Sequence, residues 1–499
     1  MKRSTCITLL VSLTTLLVSA ASPRAQETLT YQHGVMPTDA SYADAKAIFD
    51  MWAADELNNE GVPDPATQLK VAHLDDRSFT TNEFAGHGMI CVAVFDETSD
   101  RLKKMFNFVK HFHNDDYLMQ WKIERSMAVT NINSALDGIV DVISACILAE
   151  KKWPGEIVDP DEVDPLTGEK GLTWGGVARK KLEAIERVKR TIDETSPDYE
   201  AGFHAFKPHS TASDLGIDAL AGTNKGFYIN YYPYALFEAF SEISNDPYWR
   251  TKAKDGCYEV LNAGIDHDYK LPAWFTNWEG KAAKPNDPWG SVADRWDSGP
   301  SRTAWRVAQA YLTEGHPDAL TWARRINDVY VAEGDLRNPS GLSEELGWGY
   351  SFMTGERKGT GINVYMVGAA GATAMAAGDR IGTDNCYAWL RDPQNYRTFN
   401  DGTLKRTMHA IYMAVMTGAW DVYYGDHTVG ISDHSTRRAA RIAGAQRSAT
   451  TRTVYYNLNG RELPGGSRPA KGVLLARQPT VKEGAAIGGN RRVVVQYGQ

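Results

Sequence analysis

Thr81-Asn82-Glu83-Phe84-Ala85-Gly86-His87-Gly88-Met89-Ile90-Cys91-Val92-Ala93-Val94-Phe95 is an apolar stretch entered through a carboxylate. The pattern predicts a helix over 84–96, with Glu83 at its mouth. An acid in a first turn favours the helix dipole, which is the plain account of Glu83. Partial burial beside so apolar a run would also raise its pKa and hold its proton near neutral pH.

Outward from this stretch the chain reads as helix after helix, from about residue 42 to 420. The expected spans are 42–58, 84–96, 99–113, 134–152, 176–194, 232–245, 247–264, 300–313, 316–333, 363–377, 383–391 and 402–419, with polar caps such as Ser134 and Asp401. Alternating strand patterns are nearly absent there. About twelve consecutive helices fit an all-α barrel of six inner and six outer members. No fixed sequence period supports a solenoid. The long connections are rich in Trp, Pro, Gly and Asp, and function tends to sit on such loops.

The flanks differ. Residues 1–21 read as a signal peptide, with basic Lys2 and Arg3, an apolar run from Ile7 to Val18 and a small-residue cleavage site. A secreted, extracellular or cell-surface protein is therefore expected. Cys6 leaves with that segment. Cys91, Cys146, Cys257 and Cys386 form no metal-binding pattern, and buried free thiols are expected of them. Residues 427–452 read as a linker. From 453 to 499 three short strands are expected, around 453–460, 472–476 and 492–495, as a small β module. Net charge is −8, yet residues 427–499 carry 12 Lys and Arg against 3 Asp and Glu. The 22–426 region is thus strongly acidic, which argues against nucleic acid and for a neutral or cationic polymer. No membrane span follows the leader, no cofactor is implied, and a monomer is expected.

Four stretches in order resemble family 8 of the glycoside hydrolases, inverting β-1,4-glycanases built as an (α/α)6 barrel. Glu83 to Met89 is similar to the family's Ser-Glu-Gly…Gly-Met segment, with Phe84 in place of a Gly and His87 in place of a Tyr. The resemblance makes Glu83 the proton donor. Ala135-Leu136-Asp137-Gly138-Ile139 resembles the signature Ala-Thr/Ser-Asp-Ala/Gly-Asp, in which Asp137 would help hold the sugar at the cleavage point. Ile139 replaces the second Asp. Trp296-Asp297-Ser298-Gly299-Pro300-Ser301-Arg302 resembles the segment that carries the family's base in many members. Asp297 stands five residues before Arg302 rather than three, so Asp294 and Glu279 remain alternatives. Shorter matches cover Leu271 to Trp274, Thr360 to Tyr365 and Leu118 to Lys122. The resemblance spans about residues 40–425.

Inversion requires a protonated acid and an ionised base with water between base and sugar. Asp297, near Arg302 and Arg306, is expected to stay charged. Trp121, Trp274 and Trp296 are candidate sugar platforms, as is Trp278, although packing explains each equally well. Arg302 and Asn363 complete the candidate substrate-binding set, with Arg302 read chiefly as the partner of a loop carboxylate. Asp141 is expected on a solvated face. His111 and His113 are expected in a polar helix-end turn rather than a metal site. Cellulose-type glucan is the expected substrate, followed by xylan and chitosan. A catalytically impaired saccharide-binding protein on the same scaffold is the competing reading, favoured by Ile139, with a polysaccharide lyase third. The β module resembles sorting modules of type IX secretion, which would make secretion machinery a partner.

Overall fold

The computed structural model describes residues 31–72, 78–131, 134–190, 227–276, 280–282, 294–399, 402–420 and 422, and three strands after residue 453. The expected leader, the linker at 427–452, Trp278, Glu279 and Asp401 lie outside them. Among the described residues, thirteen α-helices follow one another. They are α1 (Tyr42–Glu56), α2 (Asn82–Phe95), α3 (Asp100–His111), α4 (Leu136–Lys152), α5 (Trp174–Arg190), α6 (Phe237–Ser244) and α7 (Lys254–Asp266). Then come α8 (Arg302–Glu314), α9 (Pro317–Glu333), α10 (Val364–Ala377), α11 (Arg380–Leu390), α12 (Pro393–Phe399) and α13 (Thr403–Met416).

A ring of neighbours runs α2, α4, the short 3-10 turn Ile229–Tyr231, α8, α10, α13 and back to α2. Outside it, α3 packs on α2, α5 on α4, α9 on α8 and α10, α11 on α10, and α1 on α13. This arrangement is consistent with an (α/α)6 barrel. The sequence explains which helices are inner. In α2 every residue except Glu83 is buried, and α4 is buried from Leu136 to Ala149. A helix apolar on all sides must be enclosed on all sides. The outer helices are one-sided: α3 buries Leu102, Met105, Phe106, Phe108 and Val109 and leaves its charged residues outside.

The fold also departs from the expected elements. α4 begins at Leu136 rather than at Ser134, because Ser134 Oγ donates instead to the Met119 carbonyl (2.6 Å). The 232–245 span becomes helical only at Phe237, and α12 was not expected. Ile157–Val163 and Lys170–Thr173 form an antiparallel hairpin where no strand was expected. Pro160 and three acids obscure its alternation. The four cysteines are free and buried, as the sequence suggested. Residues 1–431 and 432–499 form two units. In the second, Val454–Tyr456, Leu474–Gln478 and Arg492–Gln496 pair antiparallel in chain order.

The crossing of α2 and α4 decides where the site forms. A Cβ added at Gly138 would stand 2.6 Å from the Asn82 carbonyl oxygen and 2.7 Å from the Glu83 nitrogen. One added at Gly86 would collide with the Gly138 carbonyl and meet Asp141 Cβ at 3.1 Å. Backbone thus lies on backbone, and glycine alone permits it. The obstacle at Gly138 is main chain and cannot swing aside. Gly138→Ala is therefore expected to destabilise the fold by about 1–3 kcal/mol, read as a lower denaturant midpoint with an unchanged m-value. An unchanged midpoint would show that the crossing is looser than described.

Candidate active site

The Thr81 hydroxyl caps α2 by accepting from the Phe84 N–H (3.2 Å), which sets Glu83 in the first turn. Asn82 is fully buried, and its amide donates to Ser134 Oγ (3.1 Å) and the Ala135 carbonyl (3.0 Å). That pins the start of α2 to the start of α4. Asp137, in the first turn of α4, consequently faces Glu83 across the glycine contact.

One cation joins them. Arg302 opens α8, and its Nη1 donates to Glu83 Oε1 and, at 2.9 Å, to Asp137 Oδ2. Its guanidinium carbon lies 5.8 Å from the Tyr231 ring centre, and its Nε donates to the Gly299 carbonyl (3.3 Å). The three side chains are 16% (Glu83), 1% (Asp137) and 7% (Arg302) exposed. Burial, followed by the Glu83 charge, pushes the Asp137 carboxyl up to about 6 against the pull of Arg302. The burial expected around Glu83 thus falls on Asp137. Glu83 is the member that reaches solvent.

Asp297 lies on the turn that leads into α8, where its carbonyl accepts from Ser301 N (2.9 Å). Its carboxylate pairs with Arg295 (2.8 Å) rather than with Arg302 or Arg306, which correct their expected roles by facing the interior. Asp297 is 18% exposed, and its Oδ1 has no hydrogen-bond partner among the described residues. Asp294 is committed elsewhere, accepting from Ser351 Oγ (2.7 Å) and pairing with Lys358 (3.4 Å).

The other candidates divide. Trp121 is half-buried, and its carbonyl accepts from Asn82 N (3.0 Å) beside the Glu83 turn. Trp274 is half-buried with the Arg295 guanidinium 4.6 Å from its ring centre. Trp296 is no platform: it is fully buried, bridges Tyr350, and donates from Nε1 to the Tyr330 hydroxyl (2.9 Å). It locks the Asp297 loop to the barrel. Asn363 spends its side chain capping α10, accepting from Met366 N (3.1 Å) and donating to the Trp348 carbonyl (3.3 Å). Arg302 is a buried partner of two helix-borne acids, not of a loop carboxylate. Asp141 is not on a solvated face but fully buried against Arg306 and His87. His111 ends α3 and His113 follows it at the turn Asn114 caps, half-buried with Lys181 3.0 Å from its ring, as expected of a polar helix-end turn. No group of residues suited to hold a metal ion occurs among the described residues.

Two features escaped the sequence reading. One is the His87–Asp141–Arg306 contact, whose signal was the recurring four-residue offset from Glu83, Asp137 and Arg302. The other is Trp348, 48% exposed. Its neighbour Gly349 packs close to Asp297, where an added Cβ would stand 3.6 Å from the Asp297 Cβ. An exposed indole next in sequence to that contact suits a flat sugar face.

Fold and site together define a helical ring with a carboxylate pair bridged by one arginine at the starts of its inner helices. Residues 36–157, which contain Glu83 and Asp137, match the model for glycosyl hydrolases family 8. A β-glucanase from Niallia circulans is 22% identical over 391 residues, covering 76% of this chain and 85% of that protein. Endoglucanase C from Ruminiclostridium cellulolyticum is 23% identical over 340 residues, covering 67% of this chain and 63% of that protein's length. The apo structure of a β-1,3-1,4-glucanase from Paenibacillus sp. X4 superposes with a TM-score of 0.64 at 19% identity, over 80% of this chain and 98% of that one. This last likeness shows a shared fold. The family match and the relatives support a glycoside hydrolase.

The raised Asp137 carboxyl has a consequence for stability. Its folded pKa lies above the unfolded value, so the native state binds the extra proton between them. Stability is then full below about pH 4 and falls as pH rises through about 6, by on the order of 3 kcal/mol. Asp137→Asn should flatten that fall. Melting temperatures across this range check it, and an unaltered slope would contradict the assignment.

Proposed function

We propose that this protein is an inverting, endo-acting hydrolase of a β-1,4-linked polysaccharide. Glu83 is the general acid, Asp297 the general base and Asp137 the carboxyl that positions the sugar and shares the site's proton. The carrying observation is Arg302, which meets Glu83 and Asp137 at the end of the turn that bears Asp297.

The chemistry follows from the environments. Burial and the charge of Glu83 favour a proton on Asp137 against the pull of Arg302, so the site holds a proton beside Glu83. Glu83, the more exposed, delivers it to the glycosidic oxygen as the C–O bond breaks. Asp297 keeps one carboxylate oxygen buried and without a hydrogen-bond partner among the described residues, and as the base it takes a proton from the water that attacks the anomeric carbon. One bond forms, one breaks, and configuration inverts. Trp121 and Trp348 supply aromatic faces. Arg302 serves the acids, and Trp274, engaged by Arg295, shapes the rim.

Among substrates a cellulose-type glucan comes first, supported by the names of the glucanase and endoglucanase relatives. Xylan and chitosan follow. The binding-protein reading rests on Ile139 and on the five-residue spacing from Asp297 to Arg302. The Ile139 side chain is fully buried in the core, and Arg306 finds its carboxylate in Asp141 instead. The departure therefore strands no buried charge. We further propose export through residues 1–21, with 453–499 as a sorting module. Their support is the sequence pattern, together with the three paired strands for the module.

The test is reducing-end release from β-glucan, xylan and chitosan, with proton NMR of the fresh products. Glu83→Gln and Asp297→Asn should each lower the rate by roughly 10²–10⁴-fold, and the parent should release the α-anomer first. A parent-like rate in Glu83→Gln would end the acid assignment, and a β-anomer would end inversion.

A further inference from the structure

A second polar group lies one helical turn below the first. His87 follows Glu83 by four residues on α2, Asp141 follows Asp137 by four on α4, and Arg306 follows Arg302 by four on α8. Residues four apart share a helix face. Three helices that bring the first set together therefore bring the second set together too. Arg306 Nη1 and Nη2 donate to Asp141 Oδ1 and Oδ2 at 3.0 and 2.9 Å, and His87 Nε2 stands 3.0 Å from Asp141 Oδ2. His87 and Asp141 are wholly buried, and Arg306 nearly so.

The two groups differ in rigidity. In the upper one a single nitrogen of Arg302 serves both carboxylates, which does not by itself fix the guanidinium plane. In the lower one two parallel hydrogen bonds set the rotation and height of α8 against α4. His87 brings α2 to the same carboxylate, its Nε2 3.0 Å away but without hydrogen-bond geometry. We propose that His87, Asp141 and Arg306 form a positioning tier that holds Arg302 between Glu83 and Asp137. Through Arg302 the tier governs how the proposed acid is presented, so the inference rests on the hydrolase reading.

The tier also acts by charge. Asp137 is faced by Glu83 and His87 from α2, Asp141 from its own helix, Arg302 from α8 and Tyr231 from the 3-10 turn. Asp141 is faced by Arg306 and His87, with the Cys91 thiol nearby. Burial opposes the charge of Asp141, but Arg306 and His87 outweigh it and hold its carboxyl below the usual range. Neutralising Asp141 would remove one negative charge near Asp137 and leave Arg306 uncompensated. Both changes favour an ionised Asp137.

The experiment uses the full chain with Asp141→Asn, His87→Gln and His87→Phe, measuring kcat, KM and the pH profile on the glycan that the parent hydrolyses best. For Asp141→Asn kcat should fall about tenfold or more while KM stays within about threefold. The limb of the profile that reports Asp137 should move to lower pH. His87→Gln keeps a polar side chain with an N–H donor beside Asp141 and should keep most of the rate, whereas His87→Phe should not. If Asp141→Asn fails to fold, the His87 pair carries the same comparison. A parent-like kcat and profile in Asp141→Asn, or equal rates for His87→Gln and His87→Phe, would overturn the proposal. Should the parent hydrolyse no glycan, the function reading fails alone. The slope of melting temperature between about pH 4 and 7 then decides the tier: a flatter slope in Asp141→Asn supports it, and an unchanged slope overturns it.

Discussion

One guanidinium nitrogen held between two carboxylates is the constraint on which the rest depends. Arg302, Glu83 and Asp137 come from three helices that are far apart in the chain, and all three are largely withdrawn from solvent. Burying such charges is costly unless they are paired and closely oriented. The surrounding architecture supplies the orientation. Two glycines let α2 and α4 touch main chain to main chain, Asn82 ties their starts together, and the Arg306 fork fixes α8. A loosened crossing would leave a charge buried without its partner, so the packing of small residues and the chemistry of large ones are one problem.

The same constraint gives the carboxyls different characters. Asp137 is enclosed and carries a raised proton affinity, whereas Glu83 faces outward. Asp297 sits on a loop with an arginine of its own. Unlike surroundings give like groups different proton affinities; the inner helices surround Asp137, and the loop before α8 surrounds Asp297.

Much of the fold was legible in the sequence. The inner helices announce themselves because Ile90–Phe95 and Val140–Ala149 are too apolar for a one-sided helix. Glu83 stood out as an acid at the mouth of an apolar helix, whereas Asp137 and Asp297 stood out through the resemblance of their segments to the family motifs. The pairings were not legible. Arg302 and Arg306 stand close to Asp297 in sequence, yet helix direction turns both inward, 165 residues from their aspartate partners. Asp141 looked solvated because nothing local offered it a cation. Trp296 looked like a platform because an aromatic beside an acid reads alike whether it faces sugar or core, and only Tyr330 and Tyr350 reveal the second. Long-range partners decided each of these cases, and spacing along one chain does not encode them.

The most direct test of the account is the rate of Arg302→Lys on a soluble β-glucan, measured beside its melting temperature. Lysine keeps the charge but presents a compact ammonium on a flexible stem in place of a rigid planar fork. A kcat lower by about 100-fold, with a folded protein and little change in KM, is the predicted result. A rate within about twofold of the parent would contradict the claim that the guanidinium between Glu83 and Asp137 organises this site.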